Sequence, residues 1–580
     1  MKPTFNQHLR YQFDNLMARG TSALIGMLFV FTLIIIFVAG AVLSITNIAP
    51  EGDNTPMGFF EGSWLSLMRT LDAGTMGADT GIGFRTVMLL VTLGGIFIVS
   101  ALIGVLNNAI EGQMERMRKG RSMVLESNHT LVLGWSTQIF TILNELMIAN
   151  ESESKARIVV LADKDKMEME SDIRERVAFK GKTRIICRSG SPFDPNDLEI
   201  VSPHVAKSII VLPPENDDPD IDVVKTVLAI TNNPNRRSEP YHVITQIRNA
   251  KNMAVLKLVG EKDNVQAVMT GNLIARVVAQ TSRQSGLSVV YTELMDFDGD
   301  EIYFAHESSL VGKKFGEALL AYEDSCVMGI RKMDGTITLN PPMDAPIETG
   351  DKLLVLTADN DTIRLSGLSA PPIAESLIRA SERSMEAKSE KCLILGWNRS
   401  GATIVQELEN YVASGSQVTV VADIADIEKQ VSFAQDSKLE HQTLLVVEGE
   451  TTDRDLLNTL NVADYDHVIV LADDQVSPQQ ADAKTLVTLL HLRDMAQKDE
   501  TPFSIVSEML DLRNRELAEA TKVDDFIVSD HLVSLMMSQI SENSELFGVF
   551  ADILDPEGSE IYLKPVSDYV ATGEPVNFYT

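Results

Sequence analysis

The sequence predicts a membrane α segment, with two transmembrane helices and a pore helix, followed by tandem α/β Rossmann-like domains with small α+β lobes. Three observations carry that expectation. Two long uncharged apolar runs lie near the N-terminus, short apolar strands alternate with helical stretches thereafter, and the second part repeats itself at an offset of about 260 residues. Charge divides the chain in the same place. Residues 1–121 carry 9 Lys/Arg against 8 Asp/Glu, and the rest of the 580-residue chain carries 41 against 74. A body this acidic is poorly suited to nucleic acid, whose phosphates require clustered Lys/Arg. Solubility is the ordinary use of such acidity, and cation binding is the other.

No residue is charged from Gly20 to Pro50 or from Thr86 to Ile110. Crossing a bilayer takes about 20 apolar residues, so the runs predict transmembrane helices over about 22–46 and 86–110. The first run starts too late and continues too long for a secretory signal. Lys2, Arg10 and Arg19 precede it, and Arg116, Arg118, Lys119 and Arg121 follow the second run. The positive-inside rule then places both termini in the cytosol and the connecting loop outside.

That loop reads as a pore loop over 58–80, within a pore domain of residues 1–121. Its segment FFEGSWLSLMRTL predicts a short amphipathic helix and runs straight into the Gly-rich DAGTMGADTG. A helix aimed into the membrane presents its negative C-terminal end to a cation, and a Gly-rich turn offers carbonyl ligands. Thr70, Leu71, Asp72, Ala73, Gly74 and Thr75 are the candidate filter residues. Composition alone also allows an ordinary extracellular loop. Arg69 has no evident role and would oppose cations if it faced a pore. Gly94, Gly95 and Gly104 are candidate hinge positions for a gate, or small residues that let helices pack closely. Two spans cannot enclose a pore alone, so fourfold assembly is expected.

In the repeat, HTLVLGWSTQIF matches KCLILGWNRSGA, and RIVVLAD matches QVTVVAD. The two copies are expected over 122–284 and 390–545. The first is followed by a small lobe over 285–366 and a linker over 367–389, the second by the start of an incomplete lobe over 546–580. Each Gly-Trp turn sits where a dinucleotide fold carries G-x-G-x-x-G. The first copy keeps only Gly134, while the second keeps Gly396 and Gly401 with Asn398 between. Asp163 and Asp423 stand where a ribose-binding acid is expected, although farther along than usual. Gly134, Asp163, Gly396, Asn398, Gly401 and Asp423 are therefore the candidate nucleotide-binding residues, with another ligand or an assembly role as the alternative. Acidic clusters occur at Glu215, Asp217, Asp218, Asp220 and Asp222, and at Asp296, Asp298, Asp300 and Glu301; Asp217, Asp218, Asp220, Asp296, Asp298 and Asp300 are candidate divalent-cation ligands, with solvated loops as the alternative. Cys187, Cys326 and Cys392 are dispersed and form neither a zinc nor a disulfide pattern.

TLDAGTMGAD in the loop, the GWS and GWN turns with VVLAD and VVAD, and the lobe motif PIETGDKLLVL together resemble the Castor/Pollux group of cation channels and their bacterial relatives. The resemblance covers nearly the whole chain. It implies regulator-of-potassium-conductance (RCK) domains, eight of them forming a gating ring below the pore of a homotetramer in the inner, or plasma, membrane. It also implies calcium or a nucleotide as gating ligand, with no catalytic cofactor and no enzymatic activity. Asp72, Ala73 and Gly74 match the family's filter core, whereas Thr75 and Met76 depart from it. The loop lacks T-V-G-Y-G, which leaves K+, Na+ and Ca2+ open as the conducted ion. Two alternatives are a regulatory subunit of a separate cation transporter and a membrane-anchored NAD-binding oxidoreductase. The latter needs an acid or base beside each Gly-Trp turn, and no His or Tyr is so placed in both copies.

Overall fold

The computed structural model describes residues 21–51, 56–118, 120–178, 181–380, 388–424, 427, 431, 439–497, 503–520 and 524–580. Lys2, Arg10, Arg19, Lys119 and residues 381–387 of the expected linker lie outside them. The chain divides into two compact units, Met1–Gly120 and Arg121–Thr580.

The first unit is helical: α1 spans Thr21–Thr46, α2 Phe59–Leu71 and α3 Ile82–Arg118. Helix α1 and the segment Ile82–Glu111 are long and apolar enough to cross a membrane, with mean hydropathies of 2.9 and 2.6. Helix α3 outruns the expected 86–110 at both ends. Gly81, at φ +82°, turns the chain into it, and the Glu, Gln, Met and Arg residues after Ile110 are good helix formers that extend it past the apolar stretch. Helix α2 packs against both spans, and Leu43, Met57, Phe84 and Met88 form the small core between them. Much of the remaining apolar surface of the spans faces outward, including Phe29 and Phe97.

The second unit opens with a six-stranded sheet: β1 Thr130–Leu133, β2 Arg157–Ala162, β3 Arg184–Ser189, β4 Ser208–Val211, β5 His242–Ile247 and β6 Asn264–Met269. Its order is β3-β2-β1-β4-β5-β6 with every pairing parallel. An antiparallel lobe follows, with β7 Glu301–Ala305, β8 Cys326–Arg331, β9 Ile337–Leu339 and β10 Lys352–Thr357 in the order β7-β10-β8-β9. The second sheet comprises β11 Lys391–Leu395, β12 Ser416–Ala422, β13 Gln442–Glu448, β14 His467–Val470, β15 Ser504–Met509 and β16 Asp525–Val528. It repeats the first order as β13-β12-β11-β14-β15-β16. This is a doubly wound sheet twice over, with its switch points at β1/β4 and β11/β14. Helices cover both faces, which is why the central strands read as unbroken apolar runs and β1 and β4 are wholly buried.

The helices that matter below are α4 Ile139–Ala149, α5 Pro219–Thr231, α6 Ala250–Val259, α7 Thr270–Arg283, α8 Leu287–Met295, α9 Gly401–Glu409, α10 Pro478–Ala496, α11 Arg515–Glu519, α12 Ser529–Glu542 and α13 Leu546–Leu554. The repeat holds at the level of single hydrogen bonds. Asp220 at the start of α5 accepts from Arg248 N, Asn249 N and Asn252 Nδ2, each at 2.9 Å. Asp482 at the start of α10 accepts from Leu510 N, Asp511 N and Asn514 Nδ2 at 2.9, 3.0 and 2.7 Å. Each buried carboxylate ties the start of one helix to the loop beyond the next strand.

The two halves exchange helices. Helix α7 leaves the first sheet and packs on α9, β14, β15 and β16, while α12 leaves the second sheet and packs on α4, β4 and β5. One apolar core consequently runs through both halves, joining Leu143, Ile274, Val278, Ile404, Leu408, Leu535 and Ile540. Polar contacts seal the joints. Arg283 on α7 pairs with Glu390 at 2.8 Å, His242 Nε2 meets Ile540 O at 2.8 Å, and Gln266 Nε2 donates to Ser544 O at 2.8 Å.

Residues 546–580, expected as the start of an incomplete lobe, build no sheet among the described residues. Glu560–Lys564 resembles β7 in sequence, but no strand corresponding to β10 pairs with it. Leu563 N instead donates to Gln284 Oε1 at 2.9 Å, and the tail returns to the linker through Arg379 N to Tyr569 O and Ala571 N to Leu377 O, both 2.7 Å. Cys187 and Cys392 are buried free thiols, and Cys326 is exposed.

Glu145 on α4 gives this packing a pH dependence. Its buried carboxylate accepts Phe297 N at 3.0 Å. Burial, reinforced by Asp296, Asp298 and Glu301, outweighs that bond and pushes the carboxyl up to about 7. A raised folded-state value means that the stability it contributes is complete below the unfolded carboxyl range and is lost as pH climbs to about 7. Glu145→Gln keeps an acceptor for Phe297 and removes that loss. The variant is expected to exceed the wild type in stability at pH 8 by on the order of 1–3 kcal/mol, with no difference near pH 4. Thermal unfolding at the two pH values checks this, and a gap independent of pH would contradict it.

Candidate functional site

Helix α2 ends in a way that explains the residue the sequence left without a role. Arg69 is buried beside Asp79: its Nε donates to Asp79 Oδ2 at 3.0 Å, its Nη2 to Asp79 Oδ1, and its Nη1 to Leu65 O at 2.9 Å. The guanidinium also lies over the Phe84 ring, 5.3 Å from its centre. Arg85 Nε donates to Asp79 O at 2.7 Å. Arg69 therefore faces a counter-charge, Asp79, and ties the last turn of α2 to the far end of the Gly-rich turn. An ion pair this buried holds a single geometry because separating either partner leaves an uncompensated charge.

The candidate filter residues fall into two groups. Thr70 and Leu71 belong to the last turn of α2, where Thr70 is buried and its Oγ1 donates to Ser66 O at 2.8 Å. Asp72 ends the helix, and its Oδ1 accepts Gly74 N at 2.8 Å. Ala73–Ala78 then forms a 3-10 turn, in which Thr75 N and Asp79 N donate to Asp72 O and Met76 O. The expected run of free carbonyls is thus partly engaged within the turn, and the Asp72 carboxylate is exposed at its start. Gly94, Gly95 and Gly104 lie within the continuous helix α3. A Cβ at Gly95 would lie 2.7 Å from Thr70 O, and one at Gly94 would lie 3.2 Å from Ile35 Cδ1, whereas Gly104 has open space. The first two let α3 approach α2 and α1, a packing role with a direct cause.

The Gly-Trp turns sit at the two switch points. Gly134 and Gly396 have φ of +100° and +92°, and a Cβ on either would lie 2.5 Å from the carbonyl of Leu212 or Leu471. A Cβ on Gly401 would strike the Trp397 ring at 2.6 Å. All three glycines are accounted for by the chain's own packing. In the first copy, Lys164 Nζ lies 4.7 Å from the centre of the Trp135 ring and pairs with Asp172 at 2.6 Å, beside exposed Asp163. In the second copy a cleft remains, lined by Gly396, Trp397, Asp423, Glu450, Thr451 and Lys484. Asn398 is turned away from it: its Nδ2 donates to Ala472 O at 2.9 Å and to Glu508 Oε2 at 2.7 Å. Glu508 is buried, and burial pushes its carboxyl up.

The acidic clusters do not converge. Asp220 is held by its helix-capping bonds, Asp296 accepts Asp298 N at 2.7 Å, and no three His, Cys, Asp or Glu side chains among the described residues are arranged to hold a metal ion. Asp217, Asp218 and Asp300 thus join no such group.

Comparison with known proteins agrees with this architecture. Residues 271–371 match a family model described as Castor and Pollux, part of voltage-gated ion channel, and residues 392–529 match the TrkA-N domain. The probable ion channel CASTOR of Oryza sativa subsp. japonica is 30% identical over 99% of this chain and 67% of its own length. Ion channel CASTOR of Lotus japonicus is 30% identical over 99% of this chain and 70% of its own. Among solved structures, the human SLO3 gating ring aligns with 73% of this chain and 84% of its own at a TM-score of 0.52 and 13% identity, a likeness of fold.

The brace behind the loop makes a measurable prediction. Arg69→Gln or Asp79→Asn alone strands a buried charge and is expected to cost about 3–5 kcal/mol, while the double variant costs clearly less than the two added. A double-mutant cycle on unfolding of the detergent-solubilised chain measures the coupling. Additive single losses would show that the pair does not brace the loop.

Proposed function

The chain belongs to the Castor and Pollux family of ion channels, and from that membership we propose that it forms a homotetrameric, ligand-gated cation channel with a cytosolic gating ring. The observation that carries this reading is the end of α2. A helix packed between two membrane spans stops at an exposed carboxylate, Asp72, and its last turn is fixed from behind by Arg69 and Asp79. Four such helix ends around an axis would bring four carboxylates and four negative dipole ends to one opening, an arrangement that admits cations and rejects anions. K+, Na+ and Ca2+ are the candidate ions.

One feature, present in both copies, supports assembly of the modules into a ring of eight. Helices α5 and α6 expose Leu228 and Val255 at 46% each. The same places in the repeat, on α10 and α11, expose Leu490 at 54% and Leu517 at 61%. Apolar residues left outward at matching positions of both copies suit contacts between neighbouring modules. Calcium is the gating ligand proposed first. A ligand that prefers the open ring tenfold at one site contributes about 1.4 kcal/mol toward opening, and several sites add. The membrane is the inner, or plasma, membrane, with both termini cytosolic.

Single-channel recording from purified protein in planar bilayers tests the proposal. A potassium gradient is expected to give discrete steps reversing near the potassium equilibrium potential, with open probability rising as cytosolic calcium rises. Asp72→Asn is expected to lower conductance about two- to fivefold in 0.1 M salt and little in 1 M salt, where the Debye length falls to about 3 Å. Anion-selective steps, or an unaltered conductance in Asp72→Asn, would sink the reading of the loop. A flat response to calcium would remove calcium as the ligand.

A further inference from the structure

Each Gly-Trp turn already carries an anion of the chain's own making. Thr137 N donates to Glu215 Oε1 at 2.8 Å, and Arg399 N donates to Asp474 Oδ2 at 3.3 Å. The pairs occupy the same places in the repeat. Thr137 and Arg399 each stand third after the turn glycine, and Glu215 and Asp474 each stand fourth after the last residue of β4 or β14. In the second copy the same Asp474 oxygen also accepts Arg399 Nε at 2.6 Å.

Backbone N–H groups in this stretch, between a turn glycine and the following helix, are the ones that receive pyrophosphate in dinucleotide folds. Here a carboxylate tethered to the adjoining strand end takes that place in both copies. An arriving phosphate would have to displace a group held beside the N–H by the chain itself, and it would then sit within a few ångström of the displaced negative charge. The turn glycines do not argue otherwise, because strand carbonyls and the Trp397 ring already require them. We propose that Glu215 and Asp474 are built-in plugs that close both Gly-Trp turns to phosphate-bearing ligands, and so set what the modules admit. This concerns ligand selection and holds whatever ion the pore conducts.

The two plugs are unequal. Removing Asp474 frees both a backbone N–H and the Arg399 guanidinium at the turn. Removing Glu215 frees only a backbone N–H, next to a turn where Lys164 covers Trp135. Equilibrium dialysis of labelled ADP against the purified full chain tests this without recording current, so a silent bilayer and a failed plug are distinguishable. The wild type is expected to bind ADP no more tightly than about 1 mM, and Asp474→Ala at least about tenfold more tightly, with a smaller gain in Glu215→Ala. Micromolar ADP binding by the wild type, weakened by Asp423→Ala, would overturn the proposal and requires no folded plug variant. So would a folded Asp474→Ala that binds ADP no better than the wild type.

Discussion

The exchange of α7 and α12 is the constraint on which the second unit depends. A doubly wound sheet needs a helical layer on each face, and each copy here takes part of one layer from the other. Neither sheet can shed its borrowed helix without exposing residues such as Ile274, Val278, Leu535 and Ile540, all essentially inaccessible to solvent. Burying one such side chain stabilises by about 1.5–3 kcal/mol, so the set outweighs any single polar contact at the joints. The duplicated modules therefore behave as one body rather than as beads on a string.

That body has a mechanical consequence. Interfaces with packed cores move between discrete arrangements instead of deforming smoothly. The start of α12 reaches the Gly-Trp turn of each copy, in the second through Glu508, which also accepts Asn398 Nδ2. Ser529 Oγ donates to Glu508 Oε1 at 2.5 Å in the second copy, and Asp530 accepts Gln138 Nε2 at 3.2 Å in the first. A ligand that shifted either turn would load the same helix end. In the membrane unit the same logic acts at smaller scale: a buried ion pair and close glycine contacts hold one loop geometry.

The architecture was legible in the sequence because its signals are periodic and redundant. Two uncharged runs fix the spans, and the repeat of HTLVLGW as KCLILGW fixes two sheets. The end of α2 was placed only approximately. Nothing in TLDAGT marks where α2 stops, and Thr70 and Leu71 proved to be helical. Arg69 was visible as an anomaly, but its partner lies ten residues on, across a Gly-rich turn whose path no local pattern specifies. Glu215 stood out only as one member of an acidic stretch. Its contact with Thr137 spans 78 positions, a pairing that comparing both copies at Asp474 and Arg399 would have revealed. The helix exchange left no sequence signal at all, since α7 and α12 are apolar on the faces they bury wherever those faces dock.

Hydrogen–deuterium exchange on the full chain carrying Leu535→Ala tests the exchange most directly. A Leu→Ala change in a packed core costs about 2–5 kcal/mol, and Leu535 lies on α12 within the shared core. If the two halves form one cooperative body, protection falls together in β4 and β5 of the first sheet and in β14 and β15 of the second. Loss of protection confined to α12 and α13 would contradict the account and return the modules to independent domains.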